Sequence, residues 1–178
     1  TSAGGTWVWL AAQALDLEPI NLGLGGAAFG EAVLAEYIAS RNDWDLLTLA
    51  FGINNLIQGS TSESLARDYD QFLGIIRARH PDKPILCITP VLTRTWDVDG
   101  NAAPSGEPVR TFREVVERVV RNRMRSDKVL FLLDGLTCLH DASDLDDHVH
   151  PNDAGMRHYA ERVVEAWRAS GILSEVTR

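Results

Sequence analysis

Hydrophobic residues occur along this chain in two patterns, short continuous runs and longer segments with helical spacing. The continuous runs cover residues 46–51, 85–88 and 129–133. Runs of this length without alternating polar residues are typical of strands buried on both faces of a parallel sheet. A shorter apolar segment, Ile20-Asn21-Leu22, follows Pro19 and predicts a further strand.

Segments with helical periodicity separate these runs. The predicted helices cover residues 7–17, 31–39, 109–125 and 153–169, and one more begins at Ser60. Ser60 and Glu63 have the spacing of a capping box. The apolar residues that follow at helical spacing are Leu65, Tyr69, Phe72 and Ile76. The arginines of the helix at 109–125 are interleaved with Glu114 and Glu117, and we predict that they form a solvated face.

Helices that alternate with strands predict an α/β fold. The order along the chain favours a parallel, doubly wound sheet in a single domain over residues 1–178. In such sheets, ligand sites form at the carboxyl ends of the strands. The loops predicted to reach this edge are residues 23–26, 52–55 and 147–150.

The composition narrows the class of protein. The chain has 178 residues, of which 45% are hydrophobic, and a formal net charge of −8. This charge argues against nucleic acid or an anionic membrane surface as a partner, because either would repel the domain. No apolar run is long enough to span a bilayer. Cys87 and Cys138 have neither metal-binding nor redox spacing and are predicted to be buried, which leaves the cellular compartment open.

The most distinctive segment is Asp147-His148-Val149-His150-Pro151. Asp147 stands three residues before His150, and the proline disfavours a helical backbone at His150. Asn152 and Asp153 then offer capping side chains to the helix that follows. We therefore expect Asp147 and His150 together on a tight loop, where the histidine is suited to act as a general base that the carboxylate orients.

Two other interpretations of this segment stay open at this point. A solvated loop rich in Asp and His would contain the Asp-x-x-His pattern by chance. Metal binding is the second interpretation, because one short run holds many potential ligands: His140, Asp141, Asp144, Asp146, Asp147, His148 and His150. The run matches neither a calcium loop nor a zinc motif, so we predict no metal there.

Together these segments resemble the SGNH (GDSL-type) esterase and acylhydrolase family over essentially the whole chain. Asn21-Leu22-Gly23-Leu24-Gly25-Gly26 resembles the family's glycine block, which implies that Gly26 is an oxyanion donor. Gly52-Ile53-Asn54-Asn55 resembles the Gly-x-Asn-Asp block, which implies that Asn54 is the second donor. Asp147-His148-Val149-His150-Pro151 resembles the Asp-x-x-His-Pro block, which implies His150 as the base and Asp147 as its partner. The resemblance implies a three-layer α/β/α, flavodoxin-like fold.

Two departures from the family pattern concern Asn55 and the nucleophile. Asn55 replaces the family's Asp, a change that we expect to affect only the support of its loop. The family's serine block, which ends a central first strand, has no match, and the nearby hydroxyls of Thr1 and Ser2 lie too close to Trp7. We therefore expect the strand and its serine in a segment that precedes Thr1. A vacancy beside the strand at 20–22 would then mark where that strand belongs.

The resemblance implies a carboxylic ester hydrolase with a Ser-His-Asp triad. It implies no cofactor and no metal, and a small or acyl-sugar-like ester as the small-molecule substrate, while the oligomeric state stays open. The aperiodic segment at 91–108, which contains Arg94 and Trp96, is expected to line the acyl or alcohol pocket. An acyltransferase of the same family is the near alternative, since water and a second alcohol compete for one acyl-enzyme.

Two alternatives lie outside this family. Gly23-x-Gly25-x-x-Ala28 after a predicted strand fits the dinucleotide-binding fingerprint. That fingerprint requires an acidic residue at the end of the next strand, which here ends in Phe51-Gly52. The second alternative is a flavodoxin-like binding module without catalysis, which the missing serine favours.

Overall fold

The computed structural model describes the backbone of residues 3–176 and the side chains of residues 4–174. Thr1 and Ser2 lie outside the described residues. The helices are α1 (Trp7–Ala14), α2 (Ala32–Ser40), α3 (Ile53–Ile57), α4 (Ser62–Arg79), α5 (Val109–Met124), α6 (Asp153–Ala169) and α7 (Leu173–Val176). Shorter helical turns cover Ala3–Gly5, Arg94–Val98, Gly135–Thr137 and Ala142–Asp144. None of the helices within residues 3–176 has both the length and the hydrophobicity needed to cross a bilayer.

The strands form one sheet, and its parallel arrangement confirms the prediction. They are β1 (Leu47–Ala50), β2 (Ile85–Ile88) and β3 (Leu130–Leu133), in the order β1-β2-β3. β1 and β2 are parallel, with Leu47 opposite Ile85 and Ala50 opposite Ile88. All four residues of β2 are buried, as expected for the middle strand of a sheet covered on both faces.

The chain divides into two compact units. Of the described residues, 3–22, 91–101 and 133–176 make up one, which we call the histidine unit. Residues 23–90 and 102–132 make up the other, which we call the sheet unit. The assignment of residues 1–178 to a single domain stays a prediction.

In the sheet unit, α4 packs against both α2 and α5. The predicted apolar face of α4 is confirmed, because its residues Leu65, Tyr69, Phe72 and Ile76 are at most 2% exposed. The ring of Phe51, directly after β1, stacks on Tyr69 with 4.3 Å between centroids. Burial of a large apolar side chain stabilises a fold by roughly 1.5–3 kcal/mol, so this face anchors α4.

The start of α4 differs from the predicted capping box of Ser60 and Glu63. The N-cap is Thr61, whose hydroxyl accepts the backbone N–H of Ser64 at 3.2 Å. Glu107, far along the chain, accepts the backbone N–H of Ser62 at 2.8 Å. The carboxylate of Glu107 thus takes the role that the predicted capping box gives to Glu63. Because this contact is distant in sequence, the local spacing predicted the wrong N-cap residue.

Two expectations about the strands are wrong. Residues 20–22 are not in a strand within the described part of the chain, and Ile20 is 44% exposed. In β1 only Leu49 is buried, whereas we expected burial on both faces. A strand forms only where a neighbour pairs with it, and β1 stands at the end of the strand order.

The prediction that the arginines of α5 are solvated is wrong for Arg113. This side chain is only 7% exposed, and its Nε–H donates to the Pro90 carbonyl at 2.7 Å. A buried guanidinium requires such acceptors. Helical spacing also predicts an inward face of Phe112, Val116, Val119 and Val120. All of these are buried except Val119, which is half-buried.

In the histidine unit, α1 packs against α6. The rings of Trp7 and Tyr159 stack with 4.7 Å between centroids, and Arg168 donates to the Ala14 carbonyl at 3.2 Å. Tyr159, Val163 and Trp167 are buried on α6, as their spacing predicts. α6 thus fixes the helix entrance that carries the predicted base.

Both cysteines are free and buried, which confirms the prediction. Burial raises the pKa of the Cys87 thiol to about 12 and that of the Cys138 thiol to about 12. Neither thiol is therefore a nucleophile at neutral pH.

Candidate active site

The loop before α6 holds His150 in a defined backbone position. Asn152 caps α6 as predicted, and its Oδ1 accepts the N–H groups of Ala154 and Gly155, each at 3.0 Å. The N–H of Asp146 donates to the His150 carbonyl at 2.8 Å. These bonds close a tight loop directly ahead of the helix.

Asp147 and His150 form a hydrogen-bonded pair at the tip of this loop. His150 Nδ1 lies 2.7 Å from Asp147 Oδ2. Asp147 Oδ1 accepts the backbone N–H groups of Val149 and His150, each at 2.8 Å. The backbone bonds from Val149 and His150, followed by the bond from the His150 ring, hold the pKa of the Asp147 carboxyl well below its usual range.

The ionised carboxylate determines which nitrogen of His150 carries the proton. A carboxylate only accepts hydrogen bonds, so Nδ1 of the neutral imidazole must be the donor. This leaves Nε2 unprotonated and able to take a proton. The His150 side chain is 74% exposed and that of Asp147 52%, so Nε2 is open to a reactant.

Arg94 connects a second segment to this loop. Its backbone N–H donates to the His148 carbonyl at 2.8 Å, and its Nη2 donates to the Ala142 carbonyl at 2.8 Å. We expected Arg94 and Trp96 to line a pocket. Arg94 supports the loop that carries the Asp147–His150 pair, and the lining of a pocket by Arg94 and Trp96 stays a prediction.

In the sheet unit, Gly26 lies in a turn closed by the Ala27 N–H, which donates to the Leu24 carbonyl at 3.0 Å. Gly26 has a φ of 72°, in the left-handed region that favours glycine. A Cβ added there would meet no atom within 4 Å. The backbone conformation, not a lack of space, therefore requires glycine, and the open surroundings suit an approaching oxyanion.

Asn54 lies in the first turn of α3, where the sequence predicted a loop. Gly52 caps this helix with a φ of 125°, and a Cβ there would lie 3.1 Å from Cγ of Pro90. Asn54 is half-buried, and within the described part of the chain its side-chain amide has no hydrogen-bond partner. An amide in this state is an available donor.

The adjacent Asn55 supports the glycine loop. Its Nδ2 donates to the Phe29 carbonyl at 3.0 Å, and the residue is only 2% exposed. An Asp, which the family has at this position, would present oxygen to a carbonyl oxygen and lose this bond. The contact agrees with the expectation that this departure concerns loop support.

The structure thus pairs Asp147 with His150 in the histidine unit and places Gly26 and Asn54 in the sheet unit. The sequence analysis did not predict one further group of side chains. The side chains of His140, Asp144 and His158 offer ligand atoms that all lie within 4.8 Å of one another. His158 lies on α6, outside the run of Asp and His residues that we considered as metal ligands. Its spacing in the sequence does not indicate that it lies close to Asp144.

Comparison with known proteins identifies the family. The family model described as GDSL-like Lipase/Acylhydrolase matches residues 2–158. Comparison with curated protein sequences gave no match.

Similar solved structures share the fold. The chain is 28% identical to a salicylyl-acyltransferase, SsfX3, from a tetracycline biosynthetic pathway, with a TM-score of 0.82 over 97% of this chain and 51% of that one. A protein described as a GDSL-like lipase from Bacteroides ovatus has 24% identity and a TM-score of 0.79 over 96% and 48% of the two chains. A lipolytic G-D-S-L protein from Veillonella parvula has 20% identity and a TM-score of 0.74 over 94% and 90%.

The chain spans about half the length of the first two of these proteins. The resemblance drawn from the glycine, asparagine and histidine blocks is confirmed, as is the α/β fold with a parallel sheet. This chain belongs to the GDSL-like lipase/acylhydrolase family and has its SGNH hydrolase fold.

Proposed function

We propose that this chain provides the base and the oxyanion donors of a serine esterase that cleaves a carboxylic ester through an acyl-enzyme. The observation that carries the proposal is the 2.7 Å contact between His150 Nδ1 and Asp147 Oδ2, with Asp147 held by two backbone N–H groups. Membership of a family of lipases and acylhydrolases supports it.

His150 would move the proton in both halves of the reaction. Its Nε2 removes the proton from the serine hydroxyl as the serine oxygen attacks the ester carbonyl. The same nitrogen then gives that proton to the leaving alcohol when the carbon–oxygen bond breaks. Water repeats these steps on the acyl-enzyme and releases the acid. Asp147 keeps the tautomer and stabilises the imidazolium that forms.

Gly26 and Asn54 would bind the negative oxygen of the tetrahedral intermediate. The Gly26 backbone N–H and the Asn54 side-chain amide are neutral donors, and neutral donors stabilise a charge that develops only during reaction. Loss of one such donor typically costs about 10²–10³ in rate. The unpartnered Asn54 amide and the open surroundings of Gly26 support these roles.

The nucleophilic serine would come from a segment that precedes Thr1. One observation supports this assignment. β1 stands at the end of the strand order with Ala50 exposed, as expected if another strand belongs beside it.

The test is ester hydrolysis by the natural full-length protein, with p-nitrophenyl acetate as substrate. His150→Gln is compared with His148→Gln, which removes an exposed imidazole from the same loop. We expect His150→Gln to lower kcat/KM by at least about 10³-fold, since loss of a triad member leaves only binding and the oxyanion donors. Equal activity of the two variants would refute the assignment of the base.

Acyl transfer is the second candidate, favoured by the 28% identity to a salicylyl-acyltransferase. An alcohol and water compete for the same acyl-enzyme. Product analysis in the presence of an added alcohol separates the two functions. A new ester as the main product would assign the transferase, whereas free acid alone would assign the hydrolase.

A further inference from the structure

A group of potential metal ligands lies in the histidine unit apart from the Asp147–His150 pair. Ligand atoms of His140, Asp144 and His158 all lie within 4.8 Å of one another. We propose that these side chains bind a divalent transition-metal ion of the zinc class, such as Zn²⁺ or Co²⁺. The proposal does not rest on the esterase function.

Two of these ligands are already in contact. His158 Nδ1 lies 2.8 Å from Asp144 Oδ2. Zinc–nitrogen and zinc–oxygen bonds are about 2.0–2.2 Å long, so two atoms at this spacing subtend an angle of roughly 85° at the ion. This is less than the tetrahedral angle, so the two atoms would move slightly apart when the ion binds. The ion would take the place of the hydrogen bond between these two groups.

His140 provides the third ligand. Its ring stacks on that of His158, with 3.6 Å between centroids and 25° between planes. Stacked rings direct their ring nitrogens side by side, so the exposed His140 side chain would rotate to bring a nitrogen to the ion. His140 is exposed, which gives an ion access from solvent and leaves positions for water.

Hydrogen bonds hold the Asp144 carboxylate in a fixed position. Its Oδ2 lies 2.8 Å from His158 Nδ1. The His140 N–H donates to Oδ2 at 2.7 Å, the kind of outer hydrogen bond that orients metal-binding carboxylates. The side chain is only 4% exposed.

The backbone around Asp144 fixes the position of Asp144 relative to His158. The Asp144 carbonyl accepts the Asn152 N–H at 2.8 Å, and a Cβ on Gly155 would lie 2.2 Å from that carbonyl oxygen. Asp144 is thus packed against the first turn of α6, and His158 extends from the same helix. Two of the three ligands are thus fixed before binding, so their ordering costs little entropy when the ion arrives.

The ligand set selects a class of ion. Two imidazole nitrogens and one carboxylate oxygen suit zinc, cobalt and nickel, whereas calcium and magnesium require oxygen ligands. Bound metal would also fix the loop that leads to His150, because Asp144 is bonded to the cap of α6.

The test uses the full chain, freed of metal by a chelator and titrated with ZnCl₂ by calorimetry. We expect about one equivalent to bind per chain. His140→Ala, which changes an exposed side chain and preserves the fold, is expected to weaken binding by at least tenfold. His148→Ala removes an exposed histidine outside the group and serves as the matched control, with affinity within threefold of the wild type. Titration with CoCl₂ should give the visible absorption of Co²⁺ bound by nitrogen.

Thermal unfolding provides a second readout. Saturating ZnCl₂ should raise Tm by on the order of 5 °C in the wild type and in His148→Ala, but not in His140→Ala. Absence of saturable binding, or a loss of less than tenfold in His140→Ala, would overturn the proposal. Binding that disappears in His150→Gln and persists in His140→Ala would assign the ion to the Asp147–His150 pair and would also overturn it.

Discussion

The buried side chain of Asn55 donates a hydrogen bond to the Phe29 carbonyl at 3.0 Å. This bond joins the first turn of α3, which carries Asn54, to the end of the loop that carries Gly26. The positions of both proposed oxyanion donors, Gly26 and Asn54, therefore depend on the side-chain amide of Asn55. In the described residues Asn55 Oδ1 has no hydrogen-bond partner, so the amide orientation rests on the Nδ2 bond.

Asn55→Asp should weaken this junction. The substitution replaces the donor by an acceptor beside a carbonyl, at a position that is 2% exposed. Loss of the bond and burial of an unsatisfied carboxyl should lower the free energy of unfolding by roughly 1–3 kcal/mol. Urea unfolding measures this, with Asn101→Asp, which adds the same charge at an exposed position, as the control. A variant as stable as Asn101→Asp would show that the Phe29 contact does not matter.

Gly52→Ala should be destabilising through backbone strain. The φ of 125° is rare for a residue with a side chain, and the new Cβ would lie 3.1 Å from Pro90 and 3.3 Å from Leu65. We expect a loss of about 1–3 kcal/mol in the free energy of unfolding. Gly25→Ala is the matched control, because its Cβ would meet nothing within 4 Å. Similar unfolding midpoints for the two variants would contradict this prediction.

Asp147→Asn should affect catalysis far more than stability. An amide in place of the carboxylate no longer requires Nδ1 to be the donor, so His150 loses the tautomer that leaves Nε2 free. The expected fall in kcat is about 10⁴-fold, with little change in Tm because the Asp147 side chain is half-exposed. Kinetics and thermal unfolding of the same sample test this together. A variant that keeps most of its kcat would remove Asp147 from the proposed triad.

The contribution of Asp147 to stability should be present at neutral pH and lost only at acid pH. Its folded pKa lies below the unfolded value of about 3.9, so the carboxylate stabilises the fold above that pH, and the contribution disappears as pH falls through the folded pKa. The difference in unfolding free energy between wild type and Asp147→Asn should be constant from about pH 5 to 8 and shrink below about pH 4. Solvent exposure keeps this difference small. Urea unfolding over a pH series measures it, and a constant difference down to the lowest pH would contradict the hydrogen-bond pattern.

Arg94→Ala should loosen the loop that carries the base. The change removes the bond to the Ala142 carbonyl, while the backbone bond to His148 remains. We expect faster hydrogen exchange of the backbone amides in residues 142–150, with Arg110→Ala on an exposed face of α5 as the control. Exchange rates equal to those of the control would show that Arg94 does not support the loop.

Much of the fold could be predicted because its signals are local. β2 and α6 agree with the predicted boundaries, and the face of α4 follows from helical spacing alone. The Asp147–His150 pair was predictable for the same reason, since Pro151 and the cap at Asn152 restrict the few residues between them. A short separation in sequence and a restricted backbone together bring such a pair of side chains into contact.

The features that the sequence did not predict depend on contacts between residues far apart in sequence. Glu107 bonds to Ser62 at the start of α4 across 45 positions, and Asp144 meets His158 across 14. The segment at 20–22 has strand composition, but a strand also requires a pairing neighbour. Only the assembled fold determines these partners.

The most direct test of the proposed esterase is covalent labelling of the natural full-length protein with a fluorophosphonate, followed by intact mass and peptide mapping. We predict one adduct per chain on a serine that precedes Thr1, formed at a rate that His150→Gln lowers by at least about 10²-fold because the serine is no longer activated. His148→Gln should label at the wild-type rate. Absence of an adduct, or labelling at the same rate in His150→Gln, would contradict the assignment of the Asp147–His150 pair as the base of a serine acylhydrolase.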